Sequence, residues 1–486
     1  MVKGKKLFST IMAVSLIGGA LAGCSSKAEN GANAGADTGT NAGVTAPAST
    51  EPANNEERAL KIMTGVIGGK TPEENVLFEK EIERLTGIKA TVNKPASDYD
   101  QKLLAAIASG EKYDLLQISK SQMNSFIDQG ILTPLTDQVT GSKVLSDPSV
   151  IPTNEWDQLK TKDGEIYGVF TKYQGGTMPI VRADWLTKLE LQEPKTLDEY
   201  YTVLKAFTEQ DPDGNGKKDT YGVSTAGLYD VQGFFSAAGL KARYVQTSDG
   251  KLDVPFSTDA AIPVYEWLNK LYKEGILDPN FATNDSGKMR DLFLSDRVGM
   301  VTYWDAWVGM FNNTRKQQDP NTTFEAKALP GVPDANGNYM LRRGDPDVWV
   351  IPVNAEHPKT AFEFIEWWNT KEGITLGSLG IKDNDYTVDS GGKLTLTETG
   401  EEHAGDHGVP FWYNSTVEAP FGKLPGVQAA QDLVNQYATL ELTPPNWADA
   451  EKIINEYSFN AIMGELPAAD AVKKMREELK AANLID

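Results

Sequence analysis

Leu60-Lys-Ile-Met-Thr-Gly-Val66, Ile88-Lys-Ala-Thr-Val92 and Tyr113-Asp-Leu-Leu-Gln-Ile118 are three short β-prone runs, and what separates them decides the fold. Between the first two, Leu77, Ile82 and Leu85 recur at helical spacing from about Glu73, and Gly87 supplies a stop. Between the second and third, Asp98 reads as an N-cap for a helix carrying Leu103, Leu104 and Ile107 on one face and ending at Gly110. A further helix, Gln122 to Asp128, ends at Gly130. Strands that alternate with helices in this way predict a parallel or mixed sheet covered on both faces, an α/β fold.

Toward the C-terminus the alternation resumes. Thr196-Leu-Asp-Glu199 fits a capping box for a helix reaching Phe207. Helices are expected over Asp259 to Tyr272 and Lys288 to Leu294, and a buried strand over Val298 to Tyr303. Pro358 suits the first position of a helix reaching Trp368, and the final hundred residues read as mainly helical, closing on Ala469 to Asn483. No internal repeat is visible.

Toward the N-terminus the chemistry changes. Lys3, Lys5 and Lys6 precede an apolar run, Leu7 to Leu21, too short and Gly-rich for a lasting membrane span. It leads into Leu21-Ala-Gly-Cys24, which resembles a bacterial lipobox. The expectation is a signal peptide over 1–23 and a lipid on Cys24, with residues 24–58 a disordered tether, because they offer almost nothing large and apolar to bury. Cys24 is the only cysteine, so no disulfide can form within one chain. The expected location is the extracytoplasmic face of the cell membrane, and the expected state a monomer. A net charge of −21 argues against a nucleic-acid partner. The remaining length, about 430 residues, suits two lobes.

Asp211-Pro-Asp213-Gly-Asn215-Gly-Lys217-Lys-Asp219 sets oxygen side chains at positions 1, 3, 5 and 9 of an EF-hand-like loop, with Gly216 at the sharp turn and the Lys217 carbonyl at position 7. Ca²⁺ takes six to eight hard oxygens, and this spacing wraps them round one point. Position 12 is Gly222, so no close acid supplies the usual bidentate ligand. A structural Ca²⁺ is expected; a metal-free Asn/Asp/Gly turn is the alternative.

Sugars show hydroxyls at their edges and C–H patches on their faces, and their sites need aromatic platforms with planar polar groups. Tyr303-Trp304-Asp305-Ala-Trp307, directly after a buried strand, stands where α/β sheets bind ligands. Trp304 or Trp307 would stack on a ring while Asp305 accepts hydroxyls. Tyr173 lies in a Gly-containing loop; Trp349 belongs to an apolar strand and is as well suited to a core; Trp412 divides between cleft and packing. Arg342, with Arg343, is suited to an acidic sugar's carboxylate or to a solvated turn. His403 and His407 lie in a Gly-containing segment that reads as a solvated loop. There is no G-x-S-x-G and no P-loop, so a binding protein rather than an enzyme is expected. A glycoside hydrolase and a peptide or other solute receptor are the alternatives.

Several ordered blocks carry a resemblance: Ala106-Ile-Ala-Ser-Gly110 with Tyr113-Asp-Leu-Leu116 and Gly130-Ile-Leu-Thr-Pro-Leu135; Val181-Arg-Ala-Asp-Trp-Leu186 with Pro194 to Glu199; the Asp211 loop with Tyr221-Gly222; Phe293 to Trp304; and Phe459-Asn-Ala-Ile-Met-Gly464. Together they resemble the family 1 extracellular solute-binding proteins, in particular the lipoprotein subgroup with alginate-oligosaccharide binders. The resemblance implies a bilobal periplasmic-binding-protein-like fold of type II with a multi-segment hinge. It also implies a carbohydrate, an oligosaccharide, bound in the cleft, and an ABC permease as partner. On that reading 59–175 with 295–345 form the first lobe, and 176–294 with 346–486 the second.

Overall fold

In a computed structural model the described residues are 58–486, apart from 66–70, 229, 242, 248–250, 404–411, 418–422 and 441–445. The signal peptide, Cys24 and the tether up to residue 57 lie outside the described residues; Arg58, expected to end the tether, instead bonds the Thr86 carbonyl at 2.9 Å and Glu363 at 2.8 Å.

The opening alternation holds. Strands Ala59–Met63, Lys89–Asn93 and Leu115–Ser119 pair in parallel, joined by helices Pro72–Thr86 and Tyr99–Ser109. Thr71 and Glu74 form a capping box at the start of the first helix, and Gly87 ends it in the left-handed region. Asp98 behaves differently from expectation: it sits at φ 56° and its side chain makes no cap hydrogen bond. The capping box at Thr196 and Glu199 forms, as does the helix Pro358–Trp368.

Two main sheets result. The first runs Lys89–Asn93, Ala59–Met63, Leu115–Ser119, Asp347–Val350, Gly168–Phe170, with Asp347–Val350 antiparallel to both neighbours. The second runs Ala438–Leu440, Leu341–Arg343, Gly176–Arg182, Val298–Trp304, Tyr221–Ser224, and Ala326–Ala328 also pairs with Gly176–Arg182. Each sheet has its own apolar core: Ile62, Leu115, Phe170, Val348 and Trp368 in the first, Phe207, Tyr265, Met300 and Leu271 among others in the second.

This pairing crosses the expected division. Val298–Trp304 and Leu341–Arg343 belong to the second sheet, not with 59–175, and Asp347–Val350 completes the first sheet, not the second. The reason is non-local. An apolar strand carries no label for its sheet, and a returning strand is placed by which edge remains open. The chain thus passes between the sheets at 171–175, at 344–346, and between His403 and Val427.

Candidate functional site: the inter-lobe cavity and its hinge

The crossings converge on one buried polar cluster. Arg343, at the end of a second-sheet strand, reaches Glu155 of helix Thr153–Leu159 with Nη1 at 3.0 and 3.2 Å from its two oxygens. Its Nε and Nη2 donate to the Gln174 carbonyl at 3.1 and 3.0 Å, and Nη2 also donates to the Tyr413 hydroxyl at 2.8 Å. One guanidinium thereby ties all three crossings together, and both members of the ion pair are buried. Tyr173 packs edge-on against Tyr413 at 5.3 Å, and its hydroxyl bonds Asn435 at 3.1 Å. Burial raises the pKa of both phenols, so they remain neutral donors.

Asp305 follows strand Val298–Trp304 and is only 2% exposed, so it is not the open sugar acceptor expected from sequence. Its Oδ1 accepts the Ala306 N–H at 2.9 Å, while Oδ2 is buried without a hydrogen bond. Burial pushes its carboxyl up to about 7, against the opposing pull of the Ala306 N–H, Arg343 and Lys423. The neighbouring crossing is glycine for lack of room: a Cβ on Gly175 would lie 2.4 Å from Asp305 Oδ1.

Alternation along the strand separates the expected aromatic pair. Tyr303 packs with Trp307 at 5.5 Å, and the Arg290 guanidinium lies 4.2 Å from the Trp307 ring. Trp304, on the other face, is partly exposed and leans on the second crossing, where a Cβ on Gly344 would come 2.7 Å from its ring. Arg342 is 5% exposed, 3.7 Å from Asp230, with its guanidinium 5.6 Å from the Trp304 ring. Trp349 is core: it is 1% exposed and lies edge-on to Trp368 at 5.8 Å. Trp412 packs on Trp368 at 5.6 Å. Trp349 belongs to the first core, because a strand flanked on both sides turns a large side chain inward, whereas Trp412 lies outside any strand, half-buried against that core. His403 is buried, not solvated, with Nδ1 2.7 Å from Asp385 and Nε2 3.2 Å from Glu74. His407 lies outside the described residues.

Beside the second crossing is a cavity of about 640 Å³. Its first wall is the carboxyl end of the first sheet and the helices that follow: Gly65, Tyr99, Asp100, Gln117, Ser119, Ser121 and Gln122. Asp345 and Asp347 come from the crossing itself, and Trp447, first residue of helix Trp447–Met463, comes from the second lobe. Tyr99 donates to the Gln117 carbonyl at 2.6 Å, which holds its ring upright at the rim. Burial is the main cause lifting Asp347 to about 6, with Asp345 and Asp100 adding repulsion against the pull of Lys172. Sequence reasoning missed Trp447, Tyr99, Gln117 and Asp345. Trp447 had one local signal, the Pro444-Pro-Asn-Trp447 run that opens a helix, but nothing local points it across a cleft.

In the Asp211 loop, Asp211 accepts the N–H groups of Asn215 and Gly216, each at 3.0 Å, and the Asn215 amide donates to Asp219 at 3.1 Å. Asp219 is also ion-paired to Arg297. Burial, then the adjoining Asp211 and Asp219 carboxylates, hold Asp213 above the usual carboxylate range. Among the described residues no three His, Cys, Asp or Glu side chains converge as a metal site. No helix among them is long and apolar enough to cross a membrane.

Known proteins share this design. Lipoprotein LipO of Bacillus subtilis is 27% identical over 376 residues, 73% of each chain. The polygalacturonan/rhamnogalacturonan-binding protein YtcQ of the same organism is 28% identical over 359 residues, 70% of this chain and 65% of that one. The solved structure of alginate-binding protein AlgQ2 without calcium ion superposes with a TM-score of 0.61 at 20% identity, over 88% of this chain and 95% of that chain. Such likeness identifies the two-sheet body as the bilobal α/β fold of solute-binding proteins. Residues 69–375 match the bacterial extracellular solute-binding protein family, and the chain belongs to that family.

Proposed function

We propose that the protein is the surface-anchored substrate-binding component of an ABC importer, capturing an oligosaccharide between its lobes and delivering it to the permease. The observation that carries this reading is the cavity of about 640 Å³ lined by Trp447 of one lobe, whose ring also packs on Tyr244 and Arg243, and by Tyr99, Gln117, Asp345 and Asp347. That is the size of a small-molecule site, with an aromatic platform among a few polar groups. It opens at strand carboxyl ends, where α/β sheets take ligands. Hinge movement about 171–175, 344–346 and the Tyr413 segment would close the lobes over the sugar. Trp304, pressed on Gly344 beside Asp345, would serve as a second platform.

The chain acts by stoichiometric capture, without turnover. The lipid on Cys24 holds the monomer at the outer membrane face, and 25–57 act as its tether. The Asp211 loop binds a structural Ca²⁺ through Asp211, Asp213, Asn215, Asp219 and the Lys217 carbonyl. The donor set is hard oxygen, and a cation would offset both the burial that raises Asp213 and the repulsion that Asp211 and Asp219 add to it. Isothermal titration with mono- and oligosaccharides and peptides tests the main reading: one molecule bound per chain, with no sugar release, supports it. Peptide binding alone, or hydrolysis of an oligosaccharide, overturns it.

A further inference from the structure

We infer that this cavity selects uncharged oligosaccharides and rejects those bearing uronate carboxylates; the inference rests on the carbohydrate reading above. Three observations carry it, and the first is charge. Asp100, Asp345 and Asp347 line the cavity, and none of its described lining residues is Lys or Arg. Lys120 and Lys172 lie near Asp345 and Asp347 respectively, outside the lining, and act on those carboxylates. A ligand carboxylate entering here meets like charge.

The second concerns the groups suited to receive an acidic sugar. Arg343 is engaged by Glu155, the Gln174 carbonyl and Tyr413. Arg342 is buried against Asp230. Neither guanidinium can present its fork to a ligand without breaking the hinge cluster or uncovering a buried carboxylate.

The third concerns helix starts, which favour anions: those of Tyr99–Ser109 and Trp447–Met463 reach the lining with Asp100 and Asp449 in their own first turns, and the remaining one is the start of helix Lys120–Asp128. Its leading amides are all taken by the protein. Ser119 N–H donates to Gln122 Oε1 at 3.0 Å, Lys120 N–H to the Pro346 carbonyl at 2.9 Å, Ser121 N–H to Asp345 Oδ2 at 3.3 Å, and Gln122 N–H to Ser119 Oγ at 3.1 Å. The crossing thus docks its own carboxylate where a ligand's would otherwise sit. The cavity still offers the Asp100 and Asp347 carboxylates to the hydroxyls of neutral sugars, beside Trp447.

The test uses the mature chain and matched oligosaccharide pairs. Uronate oligomers of several linkages are compared with the same oligomers after carboxyl reduction, with glucosamine oligomers alongside, by thermal shift and then by titration calorimetry at low and at moderate salt. The expected result is binding confined to neutral members, with the uronate partner of any neutral hit weaker by at least about tenfold and the gap narrowing as salt rises. Asp100→Asn should narrow the same gap. A uronate oligomer that binds as tightly as its reduced partner overturns the inference while leaving the carbohydrate reading intact. So do glucosamine oligomers that bind tighter than neutral ones. Silence across every saccharide overturns the carbohydrate reading, and the inference with it.

Discussion

Replacing Asp305 by Asn should change how stability depends on pH, and the hinge geometry sets the size of the effect. The Asp305 carboxyl is 2% exposed, has one oxygen without a hydrogen bond, and is held at about 7 by burial against an ordinary value of 3.8. Because the folded value is raised, ionisation in the native state is the costly event. Below about pH 4 both folded and unfolded chains carry the proton, and the group contributes no pH dependence. Between about pH 4 and about pH 7 the unfolded chain binds fewer protons than the folded one, so stability falls as pH rises; above about pH 7 the loss is complete. A gap from 3.8 to about 7, at roughly 1.4 kcal/mol per pH unit, amounts to about 4 kcal/mol. Asn keeps the Oδ1 acceptor for Ala306 and never ionises. Urea unfolding of both proteins at about pH 4.5 and about pH 8 gives the comparison. The variant should gain on the wild type by several kcal/mol at the higher pH relative to the lower. If that difference changes by less than about 1 kcal/mol, Asp305 is not a buried, reluctant carboxylate and the account of the hinge is wrong.

Other outcomes follow from the same geometry. Glu155→Gln strips the charge that faces buried Arg343 and should cost about 3–5 kcal/mol in urea unfolding; a cost under about 1 kcal/mol would show that the three crossings are not held by this pair. Trp447→Ala should weaken sugar binding by about tenfold or more in calorimetry with the far-ultraviolet spectrum unchanged, and wild-type affinity would remove it from the site. Gly175→Ala places a Cβ 2.4 Å from Asp305 Oδ1, and should lower the melting temperature by several degrees. Ca²⁺ added to chelator-treated protein should raise the melting temperature, and Asp213→Ala should abolish that rise; no shift in the wild type would leave the Asp211 loop an ordinary turn.

Much of the first sheet was legible because it is local. Three strands and the helices between them are read from apolar period, from Gly87 and Gly110 as stops, and from helix-length crossovers, which set neighbouring strands parallel. The site was only partly legible. Asp305 was noticed for its position at a strand end, but whether a strand-end carboxylate faces solvent or is sealed depends on Gly175 and Tyr173 more than a hundred residues earlier. Trp349 and Trp412 divide between cleft and core in sequence; the packing of Trp368 and Phe364 makes the first of them core, and Trp368 half-covers the second.

The sequence by itself determined the class of chain: α/β alternation, a net negative charge, an Asp-rich loop, and block order resembling one receptor family. These are properties of short windows, where side-chain period, turn chemistry and charge act on neighbours. Tertiary structure alone decided which lobe owns Val298–Trp304 and Asp347–Val350, because strand pairing is settled by open edges and not by strand composition. It alone brought Trp447 and Asp345 into one lining, and set Arg343 on Glu155, so that among the described residues no Lys or Arg lines the cavity. Those contacts join positions far apart in the chain, and their energy comes from burying groups that have no relation to one another until the chain has closed.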